Sequence, residues 1–221
     1  TGTLAPTGGR TTVSARSPMT CSTMGTDIHG HGDTNMGGSF GPMLRYAGYD
    51  QLIVKGRAGS PVYLYIDDDK VEVRDASHLW GGRTKPVTRA LLREVGNPDA
   101  RVVCIGPAGE NLVRFACVIN SFSSAGGRTG MGAVMGSKNL KAIVVQGSNP
   151  ITVADPTEFA RRCWDLRHKL HRSEAAIRHR ALGSLELFDG GNSIGINAHR
   201  NCSTGFMPDL DRIPARIWKK T

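Results

Sequence analysis

The sequence predicts an α+β protein, and three observations predict it. Between Thr1 and about Gly147, short extended runs are punctuated by glycine. Helical patterns interrupt that region only briefly, and there is no regular β-α-β alternation. After Ser148-Asn149-Pro150 the pattern becomes helical and basic. A boundary placed there gives one domain over 1–150 and the start of a helical second domain over 151–221.

Taken in order, Gly41–Gly48 reads as a short helix closed by its C-terminal glycine. Gln51–Gly56 and Pro61–Ile66 read as strands. Asp67-Asp68-Asp69-Lys70 is a polar turn, and the strict alternation of Val71-Glu72-Val73-Arg74 marks a half-buried strand, so the pair forms an antiparallel hairpin. Thr84–Val95 places Leu91, Leu92 and Val95 at helical spacing. Arg101–Gly106 and Ala142–Gly147 are apolar strands ended by glycine. Asp155-Pro156-Thr157-Glu158 supplies an N-cap Asp, Pro at the first helical position and a capping-box Glu. Phe159, Cys163, Leu166 and Leu170 then fall on one helical face, and past Gly183 the chain becomes loop-rich.

With 221 residues, 39% hydrophobic and 21% charged, the chain is neither a disulfide-stapled mini-protein nor disordered. It contains no apolar run near the roughly 18 residues of a membrane helix. Cys21, Cys104, Cys117, Cys163 and Cys202 are scattered, which argues against a disulfide framework and a self-contained zinc or iron–sulfur site. Cys104 and Cys117 lie in apolar stretches, where a thiol acts as a small hydrophobe. With no signal peptide in view, a reduced, cytoplasmic setting is expected. The start at Thr1 and the uncapped end at Thr221 suggest a piece of a longer protein. The net charge of +9 concentrates between Glu158 and Ala181 without an interleaved aromatic platform. A solvated or partner-covered helix face is therefore the first reading, and no nucleic acid is expected. A non-catalytic basic module binding RNA or protein is the alternative from another class.

Three glycine-rich stretches stand out as anion sites. Ser124–Lys141 combines glycines with Arg128 and Lys138, but its Gly-Ser-Lys order is not a Walker A loop. Its next strand follows too soon for a Rossmann helix, and a tight turn packed between strands is the other reading. Asn35–Gly41 and Ala5–Arg10 pair glycine with Asn35 and Arg10, polar partners for phosphate or a heterocycle. Three such loops on one small domain suit a large polyanionic cofactor.

Several segments occur in a recognisable order: Ala5-Pro6-Thr7-Gly8-Gly9-Arg10, Ser17-Pro18-Met19-Thr20, Asn35–Gly41, Ala47-Gly48-Tyr49-Asp50, Asp75–Gly81, Gly106–Val113 and Gly132–Ile143. The series closely resembles the N-terminal domain of the tungsten-containing aldehyde:ferredoxin oxidoreductase family, almost continuously from Thr1 to about Asp155. The resemblance implies two mostly antiparallel β-sheets with a few helices, forming a base for a tungsten bis-pterin cofactor (tungstopterin). By position, Arg10, Asn35, Gly37 and Gly38 would contact one pterin, and Ser124, Ala125, Gly127 and Arg128 would lie at the second contact loop. Backbone groups of Asn35 and Ala125 would help hold a magnesium ion bridging the pterin phosphates.

The resemblance further implies an enzyme that oxidises aldehydes to carboxylic acids. Electrons would pass through a [4Fe–4S] cluster, whose ligands lie outside this chain, to ferredoxin or another electron-transfer subunit. A homodimer or larger complex is implied as well, and no catalytic residue falls in this chain. The family also includes benzoyl-CoA reductase, the second reading. Two departures bear on the choice. Ser124 stands where family members carry an Arg linking the pterin to the iron–sulfur cluster. The segment Cys21–Asp33 reads as a loop longer than the family's, with His29, His31, Asp27 and Asp33 of ligand-like composition.

Overall fold

Residues 10–21 and 29–210 are described by the computed structural model, and the chain divides into two units, Thr1–Ile151 and Thr152–Thr221. The first is built on a six-stranded sheet of order β4-β3-β8-β5-β6-β7. Its strands are β3 (Val62–Asp67), β4 (Lys70–Asp75), β5 (Arg101–Cys104), β6 (Val118–Asn120), β7 (Ser124–Gly126) and β8 (Leu140–Gln146). Every neighbour pair is antiparallel except β3 with β8. A separate two-stranded antiparallel sheet pairs β1 (Thr11–Cys21) with β2 (His29–Met36). The architecture is α+β with two mostly antiparallel sheets.

The sheet is covered on both faces because its central strands alternate apolar side chains in both directions. Val102 and Cys104 of β5 join Leu91 and Val87 of helix α2 (Thr84–Glu94) in one buried cluster, together with Tyr63, Ala142 and Val144. Val103 and Ile105 enter a second cluster on the opposite side. That cluster receives Phe40 and Leu44 of α1 (Phe40–Tyr46), Met131 and Met135 of α4 (Met131–Ser137), and Met36 of β2. Burial raises the pKa of the Cys104 thiol, which keeps it a neutral hydrophobe.

A buried ion pair ties the layers together. Lys141 of β8 is 0% exposed and Glu110 of α3 (Pro107–Glu110) 4%. The Lys141 ammonium pairs with the Glu110 carboxylate and donates to Gly82 O at 2.9 Å, while Gly81 N–H donates to Glu110 at 2.8 Å. With both charges paired and hydrogen-bonded, the desolvation cost of burying them is offset.

Three expectations are corrected. Gln51–Gly56 is not a strand. Leu52 and Val54 do pack on the core and Ile53 is exposed, so the alternation is real, but no strand among the described residues pairs with it. The expected loop over Cys21–Asp33 is strand from His29 onward, its ladder set by the partner β1. In β4 the valines Val71 and Val73 are exposed, at 49% and 66%. Coverage of that edge strand comes from its polar side, where Arg74 stacks 3.9 Å over the Tyr65 ring and pairs with Glu72.

In the second unit, α5 (Pro156–Arg172) starts at the expected N-cap, with Asp155 accepting from Glu158 N–H at 2.9 Å. The reciprocal half of the capping box is absent, because Glu158 is drawn onto Arg161 and Arg162. Neither α5 nor α6 (Glu174–Leu182) has a buried residue. In a further helix, α7 (Leu187–Ser193), the Asn192 side chain bonds both the N–H and the C=O of Met207. Among the described residues no helix is long and apolar enough to cross a membrane.

Candidate functional site

The β1–β2 hairpin carries two chemically distinct faces, set by the strand period of two. Thr11, Ser17, Thr34 and Met36 are buried against the body of the unit. The outward row consists of three opposed pairs: Arg16 with His31, Ser14 with Asp33, and Thr12 with Asn35. Thr12 Oγ1 donates to Asn35 Oδ1 at 2.7 Å, and Asn35 Nδ2 reaches Asp33 at 3.4 Å. Arg10 immediately precedes Thr11, whose partner across the ladder is Met36, so it stands at the end of the hairpin where the chain continues into Gly37.

The second predicted loop meets the first there. Asn120, at the end of β6, donates from Nδ2 to Gly37 O at 2.6 Å, and Ser124 begins the adjacent β7. Arg128 N–H donates to Thr34 Oγ1 at 3.3 Å, and Thr129 Oγ1 to Asp33 O at 3.1 Å. The eight residues named from the sequence, Arg10, Asn35, Gly37, Gly38, Ser124, Ala125, Gly127 and Arg128, therefore occupy two adjoining stretches. Gly37 and Ser124 are half-buried and the other six exposed. Arg10, Arg16 and Arg128 have no ion-pair partner among the described residues, and with Asp33 as the carboxylate of the outward row this face keeps an excess of positive charge.

The glycines test whether an external group fits. A Cβ on Gly127 would find only Cys117 Sγ at 4.0 Å, and one on Gly37 only Ser124 Oγ at 3.7 Å. Internal packing does not require glycine at either position, so the backbone there is open to close approach by an outside group. Gly130, Gly132 and Gly136 are different: a Cβ on each would run into the backbone oxygen of Arg114, Cys117 or Gly109 respectively. For that half of Ser124–Lys141 the reading as a free anion loop is corrected to packing of α4 onto α3 and the 114–117 segment. A cavity of about 600 Å³ adjoins the hairpin; its walls are mostly apolar (Val13, Phe40, Leu44, Val103), with Arg10, Thr12 and Ser14 also lining it. The polar outward face is the better candidate for an anionic group.

Among the described residues no group of three His, Cys, Asp or Glu side chains is placed to hold a metal ion. His31 and Asp33 lie on the outward row of β2, while Asp27 falls outside the described residues. Sequence reasoning missed Ser14 and Arg16 on this row, and the buried Asn120 and Thr34 behind it. The signal available was the alternation across Thr11–Ser17, which only the register makes legible.

Residues 1–147 match the family described as "Aldehyde ferredoxin oxidoreductase, N-terminal domain". A tungsten-containing aldehyde ferredoxin oxidoreductase of Pyrococcus furiosus is 43% identical over 210 residues, 94% of this chain and 33% of the relative. The enzyme of the same name from Thermococcus kodakarensis is 49% identical over 160 residues, 72% of this chain and 25% of the relative. Among solved structures, the active site complex BamBC of benzoyl coenzyme A reductase, in complex with 1,5 dienoyl-CoA, is similar at a TM-score of 0.71 and 32% identity. The match covers 96% of this chain and 33% of that one. The chain thus spans about a third of the length of these relatives.

Proposed function

The chain belongs to the aldehyde ferredoxin oxidoreductase family, and from that premise we propose that its first unit cradles a tungsten bis-pterin cofactor in an enzyme that oxidises aldehydes to carboxylic acids. The observation that carries this reading is the outward face at the end of the β1–β2 hairpin. There Arg10, Asn35 and Gly37 adjoin Ala125, Gly127 and Arg128, and neither arginine is ion-paired with a carboxylate among the described residues. The guanidinium forks of Arg10 and Arg128 would donate to phosphate oxygens of the cofactor, for which their planar geometry is suited. Gly37 and Gly127 let the backbone come close. Backbone groups of Asn35 and Ala125 would help hold a magnesium ion.

When bound, the metal centre supplies the redox chemistry, in which aldehyde and water yield carboxylic acid, two electrons and two protons. This chain's contribution is to bind and orient. A [4Fe–4S] cluster held by residues outside this chain would supply the electron path to ferredoxin in the cytoplasm. Reduction of the benzoyl-CoA ring is a second reading, favoured by the likeness to the benzoyl coenzyme A reductase complex and by Ser124, too short to bridge pterin and cluster as an arginine would.

Elemental analysis of the full-length enzyme tests the proposal directly, with tungsten or molybdenum expected and neither metal sinking it. Replacing Arg10 and Arg128 together by Ala is expected to lower bound metal and pterin at least tenfold while leaving the melting temperature unchanged. Unaltered cofactor content in that double variant would dismiss this face as the site. Turnover of aldehydes against benzoyl-CoA separates the two reactions.

A further inference from the structure

We infer that Asn120, Thr34 and Ser17 are positioning residues that fix the spacing between the two halves of this face. The inference rests on the cofactor reading above and extends it to side chains that touch no ligand. All three are polar and almost fully buried, at 1%, 4% and 0% exposed. Each spends its hydrogen bond across the seam between the hairpin and the 120–130 stretch. Asn120 Nδ2 donates to Gly37 O at 2.6 Å, Thr34 Oγ1 accepts from Arg128 N–H at 3.3 Å, and Ser17 Oγ donates to Thr129 O at 2.9 Å.

The seam is also unusually close. A Cβ on Gly32 would lie 2.7 Å from Ser17 Cβ and 2.8 Å from Thr129 Cβ. One on Gly126 would lie 2.9 Å from Thr34 Cγ2, and one on Gly38 2.7 Å from Asn120 Nδ2. Glycine on one side and a buried polar side chain on the other meet at two points, Gly126 with Thr34 and Gly38 with Asn120, and at Gly32 the half-buried Thr129 comes equally close across the seam. Apolar side chains would hold two segments together equally well, but slippage would cost them little. Buried polar partners specify one register, because any shift leaves a donor or acceptor unsatisfied. The carbonyl of Gly37 and the amide of Arg128 are held directly by this network, and they belong to opposite halves of the face. A ligand spanning both halves needs that separation preset, since otherwise it must order the halves as it binds.

The test uses the full-length holoenzyme with Thr34→Val, which removes the acceptor at nearly constant volume, and Thr34→Ser, which keeps it. Three quantities are read: amide exchange in peptides spanning residues 124–130, the rate of tungsten loss during dialysis against chelator, and the melting temperature. In Thr34→Val, exchange in that segment and tungsten loss are both expected to rise roughly three- to tenfold, the scale of one hydrogen bond. Exchange in β5 and β8 stays unchanged, and Thr34→Ser restores both rates. Faster exchange with wild-type tungsten loss would overturn the positioning role, and so would unchanged exchange. If Thr34→Val does not fold, Ser17→Ala carries the same measurements. Arg10→Ala and Arg128→Ala serve as the reference: if they release tungsten and Thr34→Val does not, only the positioning inference fails. If none of them does, the cofactor reading of the face fails too.

Discussion

Two glycine regions of the first unit look alike in sequence and are used in opposite ways. Around α4, Gly130, Gly132 and Gly136 face backbone carbonyls of the same chain, and a methyl group would not fit. At the end of the hairpin, Gly37 and Gly127 face almost nothing. The first set is glycine because the protein comes close to itself. The second has no internal reason to be glycine, and its backbone is left open to close approach by an outside group. A glycine-rich stretch is therefore not one signal but two, separable by asking what an added Cβ would meet.

The largest expected effect comes from the packed set. Gly136→Ala forces a methyl group against the Gly109 carbonyl, next to the helix that holds the Glu110 partner of Lys141. Backbone on both sides leaves little room to relax, so a loss of about 3 kcal/mol is expected in urea denaturation. A wild-type midpoint would mean that α3 and α4 yield and that the comparison is drawn too sharply.

Gly127→Ala is the matched experiment on the open set. Stability should stay within about 0.5 kcal/mol of wild type, whereas metal and pterin content of the full-length enzyme should fall severalfold. If stability falls as far as for Gly136→Ala, or if the cofactor stays bound, the two sets are not different in kind.

How much of this was legible beforehand follows the same division. Strands β3, β5 and β8 and helix α2 carry dense apolar periodicity and were placed from sequence. The β1–β2 hairpin was not: Thr11-Thr12-Val13 is β-branched and strand-prone, but its partner His31-Gly32-Asp33-Thr34 carries strand-depleted Gly and Asp, and neither segment shows apolar alternation. Their ladder depends on burying Thr11, Ser17 and Thr34 against the seam, which is tertiary information. Gln51–Gly56 failed in the other direction, since it has the pattern of a strand and no partner for its ladder among the described residues. The glycine-rich stretches with Arg10, Asn35 and Arg128 stood out from the residues themselves, and the choice of eight site residues within them came from family resemblance. Their meeting at one corner, and the outward row of Ser14 and Arg16 beside them, needed the register.

The smallest expected effect tests the same logic on an apolar stripe. Phe159, Leu166 and Leu170 repeat along α5 as a buried face should, yet they are 42%, 57% and 57% exposed. If nothing covers that stripe, Leu166→Ser removes no buried area and changes the stability of this chain by less than about 0.5 kcal/mol. A Leu fully buried in a core would instead forfeit about 2 kcal/mol or more. Thermal melting distinguishes the two outcomes, and a loss above about 1 kcal/mol would place α5 with the packed glycines. A negligible loss would place it with Gly37 and Gly127, where the sequence provides for a neighbour that the chain does not itself contain among its described residues.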